Sequence, residues 1–197
     1  MPQPSHTNTN HTIQYYGITF PNNFNILCET FFMDRIFPKS KIFGRHIAKY
    51  KNWKKSFDAD YLQGSCLLIR KKLLDEIGIF DENFFLYFEE TDLCYRAKKN
   101  GWRIHRSSNS EIVHFGSGEV GYYDRFRIYQ YHKSLFLFFV KHYRKTDIIF
   151  LKTIIFTRAI IRICLLCLMG IFLRKKRNVS FDRVKGYLSV FSSNNVK

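Results

Sequence analysis

The stretch Phe80 to Gly101, reading FDENFFLYFEETDLCYRAKKNG, constrains this chain more than any other segment. Its second half reads as a helix of marked polarity. Glu89, Glu90 and Asp92 fall in the first turn, Lys98 and Lys99 in the last, and Gly101 lies just beyond. Helix-dipole and C-cap chemistry favour that order. Leu93 and Ala97, four residues apart, share the face expected to meet a core. The aromatic string Phe84-Phe85-Leu86-Tyr87-Phe88 crowds the approach to the acids with apolar groups. Carboxylates emerging from such a wall are partly desolvated and can serve as general bases. Acids in a first helical turn also stabilise the dipole with no further role, so the pattern alone supports either use.

The flanking sequence suggests alternating elements. Tyr61 to Ile69 runs apolar through Gly64 and Ser65, as a strand buried on both faces would. Arg70 to Ile77 suits a helix closed by Gly78. Trp102 to His105 and Glu111 to His114 read as two short strands separated by a polar turn at Arg106-Ser107-Ser108-Asn109. His114 ends the second of these and opens the small-residue loop Phe115-Gly116-Ser117-Gly118. A histidine so placed is either a hydrogen-bonded structural residue or a ligand with room beside it. Residues 1–12 are polar and read as a disordered segment or linker. Residues 13–57, broken by Pro21, Pro38 and Gly44, read as loops and short helices.

Charge separates the two ends of the chain. Half of the 32 Lys and Arg residues follow position 120, against three acids there, whereas residues 61–120 carry eight basic and nine acidic side chains. The net charge of +16 therefore belongs to a tail in which basic residues alternate with apolar runs. That mixture suits a lipid headgroup surface. No zinc-finger spacing, nucleic-acid-binding signature or glycine-rich phosphate loop argues for nucleic acid. Ile148 to Leu173 is the most apolar segment and is followed by Arg174-Lys175-Lys176-Arg177. Arg158 and Arg162 near its centre weaken a transmembrane reading. A helix lying in the membrane interface is expected, with a core-packed tail and a true span as the other placements. The five cysteines are an odd number in mostly apolar stretches and are read as buried reduced thiols. Cys164 and Cys167 form C-x-x-C without a second pair, which supports neither zinc nor redox work. The first twelve residues lack a secretory signal pattern, so a cytoplasmic setting is expected.

The run DYLQGSCLLIRKKLLDEIGIFDENFFLYFEETDLCYRAKKNGWRIHRSSNSEIVHFGSGEVG resembles the C-terminal half of the catalytic domain of family 2 glycosyltransferases, especially the rhamnosyltransferase-like branch. A strand ending in Gly-Ala or Gly-Ser, a basic helix, Gly-x-Phe-Asp-Glu-x-Phe-Phe, Glu-Asp-x-Asp-Leu-Cys-x-Arg and a strand ending in His recur there in this order. Residues 13–60, with Gln14, Phe20-Pro21 and Phe37-Pro38, resemble the linker that precedes it.

The resemblance implies an α/β fold, namely the acceptor-binding half of a GT-A domain over residues 13–121, with a basic, helical, membrane-associating tail over 122–197. It implies inverting transfer of a sugar from a nucleoside diphosphate donor to a cell-surface glycan or lipid-linked acceptor. Glu90 matches the catalytic base, Glu89 the preceding acid and Asp92 the next acid of the motif. Gln63, Gly64 and Ser65 match the segment lining the acceptor and donor-sugar pocket. His114 matches a histidine that binds a divalent metal, Mg or Mn, in some relatives.

An Asp-x-Asp motif in the preceding half supplies the family's main metal ligands. Here the one D-x-D, Asp58-Ala59-Asp60, sits where relatives have a strand lead-in and is read as coincidental. The expectation is a truncated or split enzyme, inactive as an isolated chain, peripheral on the inner membrane face and with a separate N-terminal half as its partner. A non-catalytic membrane-associated remnant or partner subunit is the second reading.

Overall fold

A computed structural model describes residues 1–115, 124–172 and 177–192. The chain divides into two compact units. The first holds residues 1–84 and 88–115. The second holds residues 85–87 and the described part of the tail.

The first unit is mixed α/β. Its elements are β1 (Pro2–Thr7), α1 (Asn23–Thr30), α2 (Met33–Ile36), β2 (Phe57–Asp58), α3 (Lys71–Ile77), α4 (Glu89–Lys99) and β3 (His105–Val113). The sheet order is β1-β3-β2, with β1 parallel and β2 antiparallel to β3. α4 forms where its charge pattern predicts, and Leu93, Cys94 and Ala97 on its inner face are fully buried. α3 ends at Gly78, whose φ of 78° is the left-handed geometry that favours glycine after a helix.

Three local expectations are corrected. Residues 2–7 form β1, although residues 1–12 read as disordered or linker. β1 buries Gln3, Ser5, His6 and Thr7, and their polar side chains gave no apolar signal. Residues 61–69 form no strand: Leu62 is buried, but Gly64 to Cys66 are exposed in a turn. The segment lies beside β1 without a ladder: Leu68 makes a single backbone hydrogen bond to Pro2, and Gln63 accepts through its carbonyl from the Gln3 side chain. The two short strands around residues 106–109 are one continuous β3. Arg106, expected in a turn, is buried with its guanidinium about 5 Å from the rings of Trp53 and Phe57, and it donates to Ser5 Oγ at 2.9 Å.

The second unit contains α5 (Asp124–His142), α6 (Lys145–Phe172) and α7 (Arg177–Ser192). α7 packs against both other helices. Arg183 Nε bonds Asp124 at 2.7 Å, Gly170 approaches Ser180, and Phe156 meets Phe191 with ring centroids 5.7 Å apart. Gly186 allows α7 close to α5, since a Cβ there would lie 3.0 Å from Arg125 Cα and 3.2 Å from Ile128 Cβ. Replacing Gly186 by Leu should therefore cost more in overpacking, about 1–3 kcal/mol, than the helix-propensity gain of up to about 1 kcal/mol returns. Thermal unfolding is expected to show a lower Tm; an unchanged or raised Tm would refute the close approach.

Arg158, near the centre of the segment read as an interfacial helix, is buried at 6% exposure within this unit. Cys28 and Cys94 are buried free thiols, whereas Cys66, Cys164 and Cys167 are free but exposed, which corrects the expectation of burial for those three. The loop Gly116-Ser117-Gly118 and the basic residues Arg174, Lys175 and Lys176 lie outside the described residues.

Candidate active site

α4 starts abruptly. Tyr87 and Phe88 both have positive φ, 66° and 69°, and Phe88 occupies the N-cap with no side-chain capping bond. Left-handed backbone at two consecutive aromatic residues is costly, of order 1–2 kcal/mol each. It turns the chain sharply, so Glu89 and Glu90 open the helix at its positive end.

The structure brings Glu90 and the segment 63–65 together. A Cβ placed on Gly64 would lie 3.6 Å from Glu90 Cβ and 3.9 Å from its carboxyl carbon, so the backbone at Gly64 flanks the acid. Burial of the carboxyl, then the charge of Glu89, push Glu90 up to about 7 despite an opposing backbone hydrogen bond. A side-chain hydrogen bond with Glu89 adds to the rise. Glu89 Oε2 is buried and finds no partner among the described residues. Glu90 therefore keeps its proton up to about pH 7.

Asp92 is placed differently. It is fully buried and accepts from Arg96 Nε at 2.8 Å, while the same guanidinium donates to the carbonyls of Ile77 and Ile79 at the end of α3. Asp92 thus orients the arginine that ties α4 to α3. Asp58 and Asp60 are also engaged: Asp58 by hydrogen bonds from His105 and Arg103, which hold its carboxyl below the usual range, and Asp60 by Lys98.

Behind the Gln63–Ser65 segment stands a cradle that sequence reasoning missed. Gln3 Nε2 donates to the Gln63 carbonyl, and Tyr16 donates to Gln3 Oε1 at 2.7 Å. His6 Nε2 lies 2.5 Å from Ser65 Oγ. His6 is wholly buried, and burial followed by its neighbours His114 and Arg106 pushes it down to about 4, so the ring is neutral at physiological pH. Its ring meets His114 edge-on at 5.6 Å. Gln14 clamps His114 from two sides: Nε2 donates to the His114 carbonyl at 2.7 Å, and Oε1 accepts from Nδ1 at 2.8 Å. Gln14 was legible in the sequence as part of the linker resemblance. His6 and Gln3 were not, because their strand has no apolar period.

His114 could offer Nε2 to a metal, but among the described residues no group of three His, Cys, Asp or Glu side chains stands together to hold one. The described residues do not fit a complete metal centre. The arrangement presents a carboxyl with affinity for a proton near neutrality, beside the side-chain-free backbone of Gly64, and such a carboxyl can serve as a general base.

Comparison with known proteins adds the following. Residues 39–133 match the family described as "Glycosyltransferase like family 2". Over 78 residues, 40% of this chain, the sequence is 35% identical to N-acetylglucosaminyl-diphospho-decaprenol L-rhamnosyltransferase of Mycobacterium tuberculosis, in strains CDC 1551 and H37Rv, covering 25% of that protein. Over 55 residues, 28% of the chain, it is 34% identical to a low-salt glycan biosynthesis hexosyltransferase of Haloferax volcanii, covering 18% of it. The chain thus matches about a quarter or less of the length of these curated relatives. No solved structure matches it.

Proposed function

From the premise that residues 39–133 belong to a rhamnosyltransferase-like glycosyltransferase of family 2, we propose that they form the acceptor side of an inverting active site with Glu90 as its general base. The observation that carries this reading is the Glu90 carboxyl, held up to about 7 by burial and packed against the backbone of Gly64. An acceptor hydroxyl is a poor nucleophile until a carboxylate takes its proton as the new bond forms. Glu90 takes that proton. Glu89 tunes Glu90 through its charge and hydrogen bond, and Asp92 positions α4 through Arg96. Gln63, Gly64 and Ser65 line the acceptor pocket, held from behind by Gln3 and His6.

The donor is a nucleoside diphosphate sugar, and the relatives' names favour L-rhamnose or another hexose. The acceptor is a glycan built on a polyprenyl-diphosphate lipid, reached at the cytoplasmic face of the membrane. This activity belongs to the whole enzyme that contains these residues. The described residues supply no metal step, and the role of His114 as a metal ligand stays a proposal resting on its Nε2 alone.

The test is an assay of the whole enzyme with nucleoside diphosphate rhamnose and polyprenyl-diphosphate-linked N-acetylglucosamine, with NMR of the product. The expected product carries the anomeric configuration opposite to the donor's. Retention would remove the single-base mechanism. His6→Gln should raise the acceptor KM about tenfold with a smaller change in kcat, since it loosens the pocket wall without touching the reacting oxygen. An unchanged KM would relieve His6 of any positioning role.

A further inference from the structure

α6 is arranged with its charge inside and its oil outside. Its inward stripe holds Leu151, Ile155, Arg158, Leu166 and Gly170, all buried, with Arg162 half-buried on the same side. Its outward stripe holds Ile160, Leu168, Ile171 at 69% exposure and Phe172, with Phe156 at its margin, 55% exposed and edge-on to Phe191 of α7. From Phe156 to Phe172 no exposed position of the helix carries a charge. A helix on the surface of a water-soluble domain shows the reverse arrangement. A core helix of a soluble protein would bury its apolar residues, yet only a third of the most apolar 18-residue window is buried. Ionisable residues turned toward the bundle, with apolar residues outward, is the pattern of a helix whose outer solvent is hydrocarbon.

The ends of the segment agree. Lys141, Arg144 and Lys145 are exposed just before or at the start of α6, and Arg177 is exposed at the start of α7. Such residues reach anionic headgroups while the apolar face sits deeper. The second unit also carries a reason against a crossing. α7 runs beside the C-terminal half of α6, from the Gly170 and Ser180 approach to the Phe156 and Phe191 contact. It carries Asp182, Arg183 and exposed Lys185, which a crossing would drag to mid-membrane along with Arg158 and Arg162.

We infer that the outward face of α6, from Phe156 to Phe172, is a monotopic membrane-insertion surface whose partner is the lipid hydrocarbon itself, with electrostatics secondary. This deepens the reading of a lipid-linked acceptor. Its test needs no substrate, so it fails or stands independently of the transferase chemistry.

The full chain would be floated with vesicles of phosphatidylcholine alone and of phosphatidylcholine with phosphatidylglycerol, at low and high salt. Binding is expected to both, and to survive high salt. The triple variant Ile160→Gln, Leu168→Gln and Ile171→Gln, all solvent-facing in the absence of lipid, should lower partitioning at least about tenfold with an unchanged circular dichroism spectrum. Binding to anionic vesicles only, released by salt, would overturn the inference in favour of a headgroup contact. Absence of vesicle binding, with a dimer in sedimentation that the triple variant dissociates, would overturn it in favour of a second copy. If the triple variant does not fold, Ile160→Trp in the otherwise unaltered chain decides. Quenching of that indole by brominated acyl chains supports insertion, and no quenching removes it.

Discussion

Replacing Glu90 by Gln should lower transfer by about 100- to 10,000-fold while making the fold more stable above neutral pH. The two effects have one origin. Glu90 is held up to about 7 against an ordinary value of 4.5, first by burial and then by Glu89. Between those two pH values the folded chain keeps a proton that the unfolded chain has lost. Stability therefore falls as pH rises from about 4.5 through 7 and levels off beyond. The rate behaves in the opposite sense, rising with pH until Glu90 is ionised near 7. Gln keeps the volume, cannot accept the proton and never ionises. It should flatten the stability limb and abolish turnover together. Turnover near the parent value would remove Glu90 as the base, and a persisting stability limb would assign the titration elsewhere. Glu89→Gln, by withdrawing the neighbouring charge, should move the pH–rate midpoint downward and cost less rate.

The second large effect is structural. Asp92 is fully buried, and its partner Arg96 is itself mostly buried while spanning from α4 to the carbonyl end of α3. Asp92→Ala leaves that guanidinium without its carboxylate, and breaking a buried pair in this way typically costs about 3–5 kcal/mol. Much of the stability of a small unit would be lost, and denaturant melts should show a large drop in midpoint. Asp92→Asn, which keeps an acceptor for Arg96, should melt at an intermediate midpoint. If Asp92→Ala melted like the parent but turned over slowly, Asp92 would act on substrate and not on α4.

These contrasts explain what the sequence disclosed. α4 was legible because three independent signals coincide in it: acids first, bases last and glycine after. For α3 the glycine alone, Gly78, marked the end. The acid pair could be located, but its setting could not, because the chain that flanks Glu90 comes from residue 64 and the groups behind that chain come from residues 3 and 6. β1 escaped notice because its buried residues are Gln, Ser, His and Thr, whose burial is stabilised by specific hydrogen bonds and not by apolar transfer. The reading of Tyr61 to Ile69 as a strand failed because the chain turns at Gly64 to Cys66, so its apolar run carries a single backbone bond to β1 and no ladder. In the tail, composition gave the arginines of α6 without their direction. That direction changes the expected salt dependence of membrane binding.

The parallel pairing of β1 with β3 joins Pro2 to His105, roughly a hundred residues later in the chain. At a synthesis rate of about 5–20 residues per second, β1 leaves the ribosome some 5–20 seconds before its partner exists. During that interval its polar residues have nothing to pair with but water, and an apolar strand in that position would have invited aggregation. The composition that hid β1 from view is the one that lets it wait. Pairing with β3 then fixes β1, and with it the backbone from which Gln3 and His6 reach Gln63 and Ser65.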